Sequence, residues 1–198
     1  MQVNPCRQVE KLAEPKGRTR FLSDEERDTL LEVCKDSKDP NIYLVVVLAL
    51  STGMRSSEIR YLKWDDVDLP RRRIVLTNIK NDETRTVPLV GHAYDLMRVH
   101  IRRIDTPFVF AGRFKDRPAT FRKAWDQAAE DAELDDFRFH DCRHTAASYL
   151  AMNGATLSEL SEILGHKSLS MVQRCAHLTE QHTAKVVSRM NSEMFGNG

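Results

Sequence analysis

Two arginines, two histidines, a lysine and a cysteine stand out for the order and company in which they occur. Arg55 lies in Thr52-Gly53-Met54-Arg55-Ser56-Ser57-Glu58-Ile59, and Lys80 opens the polar turn Lys80-Asn81-Asp82-Glu83. His140 and Arg143 share His140-Asp141-Cys142-Arg143-His144-Thr145, His166 follows Leu164-Gly165, and Cys175 sits in Arg174-Cys175-Ala176-His177-Leu178. Singly, each has an ordinary reading as a surface charge or a satisfied core residue. Together they suit attack on a phosphodiester. Such attack builds negative charge on the non-bridging oxygens, and the guanidinium forks of Arg55 and Arg143 can clamp a phosphate bidentately where lysine supplies only a point charge. His140 and His166, titrating near neutrality, can hydrogen-bond the phosphate or relay a proton, and Lys80 can protonate the departing oxygen. This chemistry requires no metal and no cofactor. A zinc site from His140, Cys142, His144 and Cys175 is set aside, because the first three lie too close along one helix to share a tetrahedral ion. Glu58, three residues after Arg55, is expected to support that arginine or the fold, as are His144 and His177.

In this order the segments resemble the tyrosine recombinases, the phage integrase family, over Thr19 to Met190. The resemblance implies that the family's two arginines fall on Arg55 and Arg143, its hairpin lysine on Lys80, the histidine of its H-x-x-R motif on His140, and its later histidine or tryptophan on His166. The nucleophilic tyrosine would fall on Cys175, and here the chain departs from the family. None of Tyr43, Tyr61, Tyr94 and Tyr149 stands in that frame. In the family a phenolic oxygen attacks the scissile phosphate to give a 3′-phosphotyrosyl link. A thiol of ordinary pKa about 8.5 can be activated by nearby cations. Its sulfur, however, lies one bond beyond Cβ, short of a tyrosine hydroxyl, and a phosphorus–sulfur link is a poorer covalent store than an aryl ester. Loss of cleavage and rejoining with DNA binding retained is therefore expected. Three origins for Cys175 stay open: a substitution made to silence or trap the enzyme, a naturally degenerate member, or a true thiol nucleophile. A small buried hydrophobe is its plain structural reading. The alternative function is a non-catalytic DNA-binding regulatory module of the same fold, and a type IB topoisomerase is a more distant one.

The resemblance further implies double-stranded DNA as partner, a homo-tetramer on two DNA sites for a full-length protein, and a monomer for the isolated chain. Residues 1–20, polar and carrying Pro5, Pro15 and Gly17, read as a linker from a missing N-terminal core-binding domain, and residues 21–198 as the catalytic domain.

The elements that must position these residues are mostly helical. Ser23-Asp24-Glu25-Glu26 fits a capping box opening a helix with Leu30, Leu31 and Cys34 on one face. Ile42 to Leu50 is apolar on all sides and ends at a glycine, which predicts a buried central helix. A short helix is expected over Ser56–Leu62, then a hairpin of Ile74–Thr77 and Thr84–Leu89 with Lys80 near its tip. Further helices are expected over His92–Arg103, Ala119–Ala132, His140–Met152, Leu157–Leu164, Leu169–Arg174 and Thr179–Met190, the last a candidate to dock on a neighbouring protomer. The predicted fold class is thus mainly α with a small antiparallel β-sheet, in one domain.

With 198 residues and 41% hydrophobic content the chain can bury one sizeable core. Its longest apolar run is too short to span a bilayer, no signal core is evident, and four scattered cysteines suggest no disulfide framework, so a reducing cytoplasm is expected. Thirty Lys+Arg against 29 Asp+Glu leave a net charge of +1, so any nucleic-acid role rests on charge distribution. Arg71-Arg72-Arg73 and the stretch from Arg98 to Lys123 are the basic blocks.

Overall fold

The computed structural model describes residues 20–78 and 83–165, together with 188, 190–192 and 194–196. Helix α1, Asp24–Lys35, opens on the expected capping box: Glu26 N donates to Ser23 Oγ at 3.2 Å, and Ser23 N to Glu26 Oε2 at 2.9 Å. It buries Leu30 and Cys34 and packs on α2, Ile42–Thr52. Three successive valines, Val45 to Val47, are poor helix formers, but all three are buried in α2. Burial of each contributes about 1.5–3 kcal/mol, which outweighs the propensity deficit of a few tenths. Helix α2 is the hub, touching α1, α3 (Ser56–Arg60), α4 (Gly91–Val99) and α6 (Asp141–Met152).

The sheet is antiparallel in the order β1 (Val67–Asp68), β2 (Arg73–Asn78), β3 (Glu83–Pro88). Register pairs Ile74 with Val87 and Leu76 with Arg85, so alternation turns Val87 and Arg85 toward the protein while Thr84 and Thr86 are exposed. Strand β3 packs on α7, Leu157–Leu164, which also leans on α6. The molecule is therefore mainly α with one small antiparallel sheet. No helix among the described residues is long and apolar enough to cross a membrane.

Three predicted helices are shorter than their patterns suggest, each because a loop captures residues at one end. Helix α4 stops at Val99, since His100 turns extended and packs its ring between Trp64 and Phe110, with centroids 6.2 and 5.5 Å away. Helix α5 spans Arg122–Asp131 and leaves out Ala119, whose amide donates to Phe110 O at 2.8 Å in a short extended pair. Helix α3 ends at Arg60, because Leu62 O accepts from Val109 N at 2.9 Å. Strand β1 was not foreseen; two residues are too few for a periodic signal. The helix expected over Leu169–Arg174 and most of that over Thr179–Met190 lie outside the described residues, although residues 188, 190–192 and 194–195 are helical.

Candidate active site

The site is built where three chain segments meet the C-terminal end of α7. That short helix is nucleated by its own capping box: Glu159 N donates to Thr156 Oγ1 at 3.2 Å and Thr156 N to Glu159 Oε2 at 2.7 Å. It ends at Gly165, left-handed at φ 62°. Such an end leaves carbonyls without helical partners and carries the negative pole of the helix dipole, which cations favour. Three arginines supply them. Arg85 from β3 donates to Ile163 O at 2.5 Å, Arg143 from α6 to Leu164 O, and Arg55 to Gly165 O at 3.4 Å. Arg143 also donates to Gly53 O at 2.5 Å, so one fork ties together the ends of α2 and α7.

Gly53 and Gly165 make that approach possible. Gly53 is left-handed at φ 63°, and a Cβ there would collide with Leu164 Cδ2. A Cβ on Gly165 would lie 2.7 Å from Arg85 Cδ. Both positions demand glycine on conformation and on space.

Glu58 is the shared anion. Its Oε1 accepts from Arg55 Nη1 at 2.7 Å, and its Oε2 from Arg55 N at 2.7 Å and Arg85 Nη2 at 2.6 Å. Burial pushes the Glu58 carboxyl up, but the Arg55 amide and the charges of Arg85 and Arg55 outweigh it and hold its pKa below the ordinary value. The expected support of Arg55 by Glu58 is thus present as a direct ion pair. Arg143 is only 3% exposed, while the Arg55 side chain is 41% exposed.

His140 holds the N-cap position of α6 without a side-chain capping bond, on the exposed side of the helix start, with its ring 5.4 Å from that of His144. Burial, then the charges of Arg143 and Arg55, lower its pKa against a smaller opposing effect of Asp141. This shift favours the neutral ring, which can accept a proton. Asp141 serves the helix start as expected, Oδ2 accepting from Arg138 N at 2.8 Å. Beside His140 opens a cleft of about 610 Å³ that brings together Ser56, Ser57, Arg60, Arg122 and Arg138. Buried Trp125 and Phe137 also line it.

Of the six residues singled out in the sequence, the structure draws Arg55, His140 and Arg143 together. Lys80, His166 and Cys175, like His177, lie outside the described residues. Arg85 was missed. Its signal is faint but real: an arginine in phase with Val87 and Leu89 on the buried face of a strand. Cys142 is buried at 0% exposure, with burial raising its thiol pKa. Among the described residues no cluster of three or more His, Cys, Asp or Glu is placed to hold a metal ion.

The phage integrase family model matches residues 20–182. The chain belongs to the phage integrase family. Family relatives include the shufflon-specific DNA recombinase of Escherichia coli, 32% identical over 89% of this chain and 45% of its own length, and the integrase of Salmonella phage P22, 31% identical over 94% and 51%. The chain spans about half the length of these curated relatives. The solved catalytic domain of bacteriophage HP1 integrase superposes with a TM-score of 0.68 at 28% identity, covering 90% of this chain and 98% of that one.

Proposed function

We propose that residues 21–198 form a site-specific DNA recombinase or integrase catalytic domain, in which Arg55 and Arg143 bind the scissile phosphate. The observation that carries this reading is the convergence of those two guanidiniums on Leu164 and Gly165, immediately before His166 in the chain, with His140 near both arginines. In the family reaction a tyrosine oxygen bonds to phosphorus, the bond to the 5′-oxygen breaks, and that oxygen leaves with a proton. Lys80 is assigned as its donor, and His140 and His166 as phosphate or proton-relay partners. Double-stranded DNA is the partner, and a tetramer on two DNA sites is the working assembly of the full-length protein.

Cys175 occupies the nucleophile position in this assignment, so the chain binds DNA but is impaired in cleaving and rejoining it. Kinship with phage integrases supports a cytoplasmic setting. The test is a covalent adduct, stable in detergent, on a nicked duplex: none with Cys175 and a clear band with Cys175→Tyr. Cys175→Tyr that binds DNA without forming an adduct would favour the regulatory-module reading.

A further inference from the structure

Arg85 has no part in the assignment above, yet it touches both halves of the site. One arm of its guanidinium donates to Ile163 O at 2.5 Å and the other to Glu58 Oε2 at 2.6 Å. Glu58 in turn holds Arg55 through both its guanidinium and its amide. Ile163 lies three residues before His166 in the same segment. Arg85 itself stands on β3, the strand that begins three residues after Lys80 in the sequence. A single side chain, 16% exposed, therefore connects the strand after Lys80, the anchor of Arg55 and the helix end that leads to His166.

We propose that Arg85 is a positioning residue: it sets the placement of Arg55 relative to the C-terminal end of α7, and does so without touching DNA. The proposal rests on the DNA-cleaving reading of the site.

Stability alone does not account for an arginine here. Val87 and Leu89, in phase with it along the strand, and Ile74 opposite Val87 are fully buried and apolar, and an apolar side chain at 85 would extend that face without desolvating a charge. Instead a third guanidinium is buried within reach of Arg55, the two sharing one carboxylate. Burial, and secondarily the repulsion of Arg55, lower the Arg85 pKa against the pull of Glu58. The fork geometry is specific to arginine, because its two arms reach a carbonyl and a carboxylate on different elements in one plane. Gly165 keeps the space open, since any Cβ there would strike the Arg85 stem.

The test compares Arg85→Met and Arg85→Lys in the Cys175→Tyr background, by single-turnover adduct formation on a nicked duplex. A mispositioned site lowers the rate constant, whereas a merely destabilised protein lowers the fraction that reacts. Arg85→Met is expected to slow the rate constant on the order of 10- to 100-fold with duplex affinity and reacting fraction unchanged. Arg85→Lys, which keeps the charge but loses the fork, is expected to fall between and stands in if the Met variant does not fold. A rate constant unchanged in the folded variant, or a loss in reacting fraction alone, overturns the proposal. If the Cys175→Tyr parent gives no adduct, the function reading has failed, and Arg85 is then judged by nitrogen-15 spectra. In those spectra Arg85→Met or Arg85→Lys must move both the Arg55 Nε–H and the Gly165 amide signals, and signals that stay put overturn it.

Discussion

Arg143 commits its fork to the carbonyls of Gly53 and Leu164 from a position that is 3% exposed. Lysine offers donors from one point and cannot span both acceptors in the same plane. Arg143→Lys is therefore expected to leave a buried carbonyl unpaired and to cost about 1–3 kcal/mol in urea denaturation. His140 makes a prediction of its own in pH. Its folded pKa lies below the ordinary value near 6.5, so under acid the unfolded chain takes up the proton more readily than the folded one. The stability it contributes is full above 6.5 and declines as pH falls from there through the folded value. Urea midpoints should drop between about pH 7.5 and 5.5, and His140→Gln should flatten that slope. A residual slope is expected from His100, whose pKa burial also lowers. An unchanged slope in His140→Gln would contradict the lowered pKa of its ring.

At the scale of elements, the contact of the α2 and α7 ends decides the geometry. Gly53→Ala forces a side chain into a left-handed conformation and against Leu164, and it should cost on the order of 2–4 kcal/mol. Equal stability of Gly53→Ala and the parent in urea would show that the two helix ends can separate. Much of this architecture was legible in the chain: α1 from its capping box, α2 from an unbroken apolar run, α7 from its helical pattern and the Gly165 that follows. Helix ends were harder, because His100 and Ala119 leave their helical patterns to satisfy partners elsewhere in the chain. The site divides in the same way. Arg55, His140 and Arg143 stand in contiguous motifs, whereas Arg85 acquires meaning only from partners 27 and 78 residues away. No local pattern encodes a contact of that span.

For the whole molecule, a net charge of +1 does not by itself predict affinity for DNA. Distribution does: the cleft beside His140 gathers Arg60, Arg122 and Arg138 around Ser56 and Ser57. Duplex affinity is expected to fall linearly on a logarithmic salt scale, and Arg60→Gln or Arg122→Gln should each reduce that slope by about 1. Salt-independent binding would remove the cleft from the interface. The central proposal is that Arg55, His140 and Arg143 bind the scissile phosphate while residue 175, the family's tyrosine position, supplies no tyrosine. It is tested most directly by locating the covalent bond: Cys175→Tyr is reacted with a nicked duplex, the adduct is digested, and the peptide carrying the nucleotide is identified by mass spectrometry. Nucleotide is expected on residue 175 of the variant, with no adduct from the Cys175 chain. A variant that binds the duplex without forming an adduct, or a bond carried by another residue such as Tyr61 in the cleft, would contradict it.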